Sequence, residues 1–156
     1  YRTDGTGMFG LCGDGREEPE WSCSGLAFRL WAELDATPVR VAAAGGDEEG
    51  FAVLAARSGD GRSARVLVVN QGSADPGYRL RLRGLPAHLV WELLEISDAH
   101  PCVVGDCEPH IVASGTEVDL PGGVVVATLA APAVHLLRID ATAGGRTPRR
   151  HLSSSR

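Results

Sequence analysis

Between Tyr78 and Arg83 the chain alternates without a break, Tyr-Arg-Leu-Arg-Leu-Arg. That period of two fits an extended strand with one buried face and one wet face. Tyr78, Leu80 and Leu82 are expected to face a core, and Arg79, Arg81 and Arg83 to face water. The guanidinium stripe reads as a solvated outer face that resists edge pairing rather than as a site for anionic sugars or phosphates. The surrounding sequence keeps the same grammar. Short apolar runs at Val39 to Ala44, Phe51 to Arg57 and Ala64 to Asn70 are separated by Gly-Gly-Asp-Glu-Glu-Gly and Ser-Gly-Asp-Gly-Arg-Ser. Such glycine-rich intervals are turn sequences, so the runs predict consecutive antiparallel strands.

Further strands are predicted at His88 to Ile96, Thr116 to Leu120, Gly123 to Leu129 and Val134 to Ile139, broken by Pro121-Gly-Gly and Ala130-Ala-Pro132. Residues 97 to 110 form a cysteine-containing loop between them. Ahead of the strands, Leu26, Leu30 and Leu34 recur every four residues beside Ala27 and Trp31, while Glu17, Glu18, Pro19 and Glu20 suit a first helical turn. A helix over about 19 to 34 follows, ended by Pro38, which disfavours helical geometry in the residue before it. The fold class is mainly β: an antiparallel β-sandwich of about eight strands with one N-terminal helix. The sandwich is assigned to 38–140, and 141–156, with its small residues, arginines and serine run, to a disordered tail.

With 156 residues, 44% of them hydrophobic, one core is the expectation. No apolar run approaches the roughly 20 residues that span a bilayer, and no signal peptide opens the sequence, so no membrane partner is expected and the compartment stays open. The first residue is Tyr1 rather than Met, from which a fragment or processed product is expected. All 15 cationic side chains are arginines, and apart from the 79–83 stripe and Arg146, Arg149 and Arg150 they are dispersed at a net charge of −5. Nucleic-acid binding needs a concentrated basic surface and is not expected. The lack of lysine also excludes a phosphate-cradling loop that ends in Gly-Lys.

Cys12, Cys23, Cys102 and Cys107 permit two disulfides in any of three pairings. His100, Cys102, Cys107 and His110 gather two imidazoles and two thiols, the ligand types zinc prefers, but in no familiar zinc spacing. A loop disulfide or free thiols is the preferred reading, so neither metal nor cofactor is expected. For nucleophilic hydrolysis no Gly-x-Ser-x-Gly elbow is present, and Ser24 falls within the predicted helix. Glu92 and Glu95, beside Trp91, are the acids nearest a core, yet strand carboxylates usually point to solvent. His88 and His135 read as satisfied or exposed strand imidazoles. Of the aromatics that might have stacked on sugars, Trp31 and Tyr78 fit core positions better.

The segment Gly7-Met-Phe9-Gly10-Leu11, then Glu18-Pro19, then Leu26-Ala-Phe-Arg-Leu-Trp-Ala-Glu-Leu34 resembles the last strand, loop and helix of the catalytic barrel of family 39 glycoside hydrolases, the β-xylosidase and α-iduronidase group. Val66-Leu-Val-Val-Asn70, Leu94-Glu-Ile96-Ser-Asp98-Ala-His100 and the strand Val134 to Ile139 are similar to motifs of that family's β-sandwich. The resemblance covers roughly residues 5 to 140, with departures at Glu18, where lysine is usual, and at Pro101-Cys102, where Ser-Asn is usual. It implies that 1–37 is a remnant of the last barrel strand and helix. The chain would then be a non-catalytic C-terminal accessory portion whose partner is the (β/α)8 barrel of a parent chain. Such a barrel needs about 250 residues, and the family's catalytic glutamates lie on it, so no catalytic residue carries over. Phe9, at the end of the barrel strand, is the one substrate-binding residue implied. The alternative from another class is a stand-alone carbohydrate-binding β-sandwich module.

Overall fold

The computed structural model describes residues 23–46, 50–73, 76–97 and 108–142. Phe9, Cys12, Cys102, Cys107, His100, the barrel-strand segment and the tail beyond 142 lie outside the described residues. Helix α1 spans Cys23–Ala32 and tightens into a 3-10 turn at Glu33–Ala36. Thr37 stops it by donating both its N–H and its hydroxyl to the Leu34 carbonyl, at 2.9 and 3.1 Å. Pro38 follows and cannot continue a helix.

Eight strands come next: β1 (Val39–Val41), β2 (Phe51–Arg57), β3 (Ser63–Asn70), β4 (Gly77–Arg81), β5 (Leu89–Ser97), β6 (His110–Thr116), β7 (Val124–Thr128) and β8 (Ala133–Ala141). All pairings are antiparallel. Six strands form one sheet in the order β1-β2-β3-β8-β5-β6, and β4 pairs with β7 in a second. The mainly β sandwich expected from the alternation is therefore the architecture of the chain, with most strands within a residue or two of their predicted limits.

Three local expectations are corrected. Thr116 to Leu120 is not a strand, because Asp119 folds back to accept hydrogen bonds from the Thr116 N–H (2.8 Å) and hydroxyl (3.2 Å), closing a 3-10 turn over Glu117–Asp119. Short polar side chains that bond nearby backbone compete with a ladder in this way. Gly115 is required there, since a Cβ would meet the Asp119 carboxylate at 2.6 Å. The strand instead lies just upstream, as β6, where loop was expected. It pairs with β5 across a register shift between Leu93 and Leu94. The third correction is Trp31, expected in the core but 57% exposed on the outer side of α1.

The large sheet is covered on both faces. Val66, Val68, Leu89, Trp91, Leu93, Leu137 and Ile139 pack toward the small sheet with Leu120, Val125 and Leu129. On the opposite face Leu67, Leu94, Ile96 and Leu136 receive Leu26 and Leu30 of α1. The four-residue spacing of the helix leucines is thus satisfied by the sandwich's own outer surface. Ion pairs lock the seam: Arg138 grips Glu33 through both Nε (2.7 Å) and Nη2 and reaches Glu92 at 3.5 Å, and Arg65 binds Asp140 at 3.1 Å. Strand β8 bonds β3 along one edge and β5 along the other. Its Leu136 and Leu137 are wholly buried, on opposite faces.

Truncating Leu136 to alanine is expected to cost about 2–5 kcal/mol, the usual range for a buried leucine, while Val126→Ala on the wet face of β7 should stay within about 0.5 kcal/mol. Urea denaturation of the two variants beside the parent chain measures both. Equal effects would show that β8 is not the centre of the packing.

Candidate functional site

The polar residues inside the sandwich follow from strand parity. On β8, Ala133, His135, Leu137 and Ile139 share the inward face, and on β5 Glu95 and Ser97 do. The register sets Val68, His135 and Glu95 side by side in one row. From the facing sheet Tyr78, inward with Leu80, descends onto His135. The result is a chain of hydrogen bonds: the Tyr78 hydroxyl lies 2.6 Å from His135 Nδ1, His135 Nε2 lies 2.8 Å from Glu95 Oε2, and the Ser97 hydroxyl donates to Glu95 Oε1. A carboxylate has no proton to give, so Nε2 carries the imidazole hydrogen and Nδ1 accepts from the phenol. Phe51 closes the cluster, its ring 6.0 Å from that of Tyr78.

The order acid, imidazole, hydroxyl is that of a nucleophile relay, but its electrostatics oppose that use. Burial, and secondarily the Glu95 charge, push the Tyr78 phenol well above its ordinary value, so the hydroxyl keeps its proton. Burial also pulls His135 below 6.5, against the opposing pull of the Glu95 hydrogen bond and charge. The imidazole is 1% exposed. The cleft between β4 and the β1–β2 part of the large sheet has none of these residues in its lining. The cluster therefore holds two sheets together. A neighbouring buried group works the same way: Asn70 donates to the Leu129 carbonyl at 2.8 Å and accepts from the Ser73 N–H at 2.9 Å, tying the end of β3 to the facing sheet.

Glu92 and Glu95 do not face each other. Three residues apart on one strand, they project to opposite sides of the sheet, Glu92 toward Arg138 and Glu95 toward His135. The expectation of solvent-directed carboxylates is thus corrected for Glu95, whose side chain is 13% exposed and hydrogen-bonded on both oxygens. His135 is the satisfied core imidazole expected, and His88 is an exposed one beside Glu117 at 3.3 Å. Trp91 is also core: its indole N–H donates to the Thr116 carbonyl at 3.1 Å. Of the three, only Tyr78 was expected to face the core; His135 was expected as a satisfied or exposed imidazole and Glu95 as solvent-directed, and no union of them was expected. Among the described residues no group of three or more His, Cys, Asp or Glu side chains stands close enough to hold a metal ion.

A cleft of about 800 Å³ opens at the other end of the sandwich. It runs between β4 with its following residues and the β1–β2 part of the large sheet. Its floor is apolar, built by Val41, Val53, Ala55, Val66 and Leu80. Arg57, Arg62 and the Arg79–Arg83 segment border it, and among the described residues no carboxylate or imidazole lines it. General acid–base chemistry on a sugar needs such groups within reach of the bond; what the described lining supplies is apolar surface and guanidinium groups.

Because burial holds the folded His135 pKa below the unfolded value near 6.5, the unfolded chain binds more protons as pH falls through that value. The neutral imidazole's contribution is full above 6.5 and is lost as pH drops toward the folded pKa. Stability should decline on acidification below pH 6.5 by up to about 1.4 kcal/mol per pH unit, and His135→Gln should flatten that slope. Denaturant midpoints between neutral pH and the carboxylate range measure it, and a wild-type slope unchanged in the variant would remove His135 as the cause.

Comparison with known proteins bears on the fold. No protein-family model matches the sequence, and no curated protein matches it. Among solved structures, the fold is similar to that of a glucosidase from Croceicoccus marinus, with a TM-score of 0.58 and 22% identity over 84% of this chain. The chain spans about a third of that glucosidase, 34% of its length. A GH51 α-L-arabinofuranosidase from Thermotoga petrophila aligns at a TM-score of 0.34 and 17% identity, over 56% of this chain and 18% of its own. The structural neighbours are glycosidases.

Proposed function

We propose that this chain is a non-catalytic, structural portion of a glycoside hydrolase of the family 39 type, xylosidase- or iduronidase-like, in which the sandwich buttresses a (β/α)8 barrel carried elsewhere in the parent polypeptide. The observation that carries this is the disposition of the acids. Retaining glycosidases need two carboxyl groups about 5 Å apart across a bound sugar, and inverting ones about 6.5–9.5 Å apart. Here Glu92 and Glu95 lie on opposite faces of a sheet, and among the described residues the cleft has no acid in its lining. The fold shared with a glucosidase over most of this chain, but over a third of that enzyme, supports the same division of labour.

The surface offered to a barrel would be the outer side of α1. Leu26 and Leu30 are spent on the chain's own sheet, and Phe28 and Trp31 stand 63% and 57% exposed on the other side. Neighbouring exposed aromatics of that size are unusual on a solvent face and suit burial against a partner. They also motivate the second reading, a stand-alone carbohydrate-binding module, because an exposed indole can stack on a pyranose ring.

The purified 156-residue chain is expected to hydrolyse neither aryl-xylosides nor aryl-glucosides and to show no heat on titration with xylan. Turnover that co-purifies with the chain would overturn the non-catalytic role. Xylan binding that Trp31→Ala abolishes would establish the binding module instead.

A further inference from the structure

The two sheets do not match in width. Six strands lie opposite two, and β4 and β7 with the 3-10 turns cover the inner face from β6 as far as the Phe51 end of β2. Among the described residues nothing lies over the inner face of β1 and the Arg57 end of β2, so Val39 and Val41, directed inward by their register with Arg57 and Ala55, remain 37% and 38% exposed. The cleft is this uncovered strip. Its floor continues the core itself, because Val53, Ala55, Leu80, Leu82 and Leu85 pack against the main hydrophobic cluster.

The wall of the cleft is a strand edge. Leu82 donates to Gly123 at 2.7 Å and Leu129 to Pro76 at 2.8 Å, each between directly opposed residues. In an antiparallel ladder alternate residues carry the paired bonds. Tyr78 and Leu80 therefore bond β7, while Arg79 and Arg81 direct their N–H and C=O groups away from it. Among the described residues no other strand pairs with β4. Arg57, Arg79, Arg81 and Arg83 make no ion pair among the described residues, and the lining supplies no carboxylate.

We infer that the cleft is the seat of one more β-strand, a segment of the parent polypeptide from outside these 156 residues that pairs with the open edge of β4, a conclusion that rests on the chain being part of a larger glycosidase. A strand set about 4.8 Å beyond β4 lays alternate side chains on Val41, Val53 and Ala55 and turns the others outward beside Arg79 and Arg81. The inward row is apolar by its floor, and the outward row is acidic by charge complementarity. Continuity of the floor with the permanent core favours a resident strand over a visiting ligand.

Amide hydrogen exchange tests this residue by residue, in the 156-residue chain and in the longest parent polypeptide. In the 156-residue chain the Arg79 and Arg81 amides should exchange at least about 100-fold faster than those of Tyr78 and Leu80, and in the parent all four should be slow. An acetylated heptapeptide of alternating valine and glutamate, added to the 156-residue chain, should slow Arg79 and Arg81 by about tenfold, and its valine–lysine counterpart should not. Slow exchange at Arg79 and Arg81 without any addition would mean that the edge is already covered from within, and would overturn the inference. So would fast exchange in the parent, or equal protection by both peptides. A parent that hydrolyses glycosides but leaves Arg79 and Arg81 fast defeats the added strand alone. A parent without a barrel in which those amides are slow defeats the glycosidase reading alone.

Discussion

Strand β8 is paired along both edges and buried on both faces, and the rest of the molecule is placed by it. Its ladders with β3 and β5 fix the registers that align Val66 with Leu137 and Leu93 with Leu137, forming the inward core. Its even-numbered face presents Leu136 to α1 and Arg138 to Glu33 at the helix end. A one-residue slip would turn the whole inward set out to the helix side and put His135 against leucines. Strong specification of this register follows from having two dissimilar cores, one on each face.

The same strand explains why a polar chain is tolerated in the interior. An unpaired imidazole, phenol or carboxylate at that depth would cost several kcal/mol. Here each completes the next: Ser97 and His135 satisfy Glu95, and Tyr78 satisfies the remaining imidazole nitrogen. Because Tyr78 comes from the small sheet, the chain couples the two sheets through directional bonds where the hydrophobic contacts are non-directional. Asn70 adds a second cross-link of the same kind through the Leu129 carbonyl. Chemistry that needs an exposed, acidic hydroxyl is what this arrangement suppresses.

A sandwich with six strands opposite two cannot close over its own inner face. The surplus appears as the arginine-bordered cleft, and on the far side of the molecule as the exposed aromatic pair of α1. Both surfaces expose apolar area. In the accessory role we propose, these are the two places where the rest of a parent polypeptide would cover the chain.

The alternation at 78–83, the glycine-punctuated apolar runs and the four-residue leucine spacing determined the fold class, most strand limits and the inward identity of Tyr78, because they depend on backbone periods that act within a few residues. The same period, applied to Glu92 and Glu95, already places them on opposite faces. The position of β6 was not legible, since its half-exposed sequence becomes a strand only through pairing with β5, and the Thr116–Asp119 turn captured residues whose pattern looked extended. Trp31 was misjudged because the apolar face of α1 is defined by the sheet it meets, not by hydrophobicity alone. The union of Tyr78, His135 and Glu95, and the unequal widths of the two sheets, belong to tertiary structure: both follow from registers and sheet packing between residues far apart in the chain, such as Val68 and His135 or Ser63 and Asp140, which no local pattern encodes.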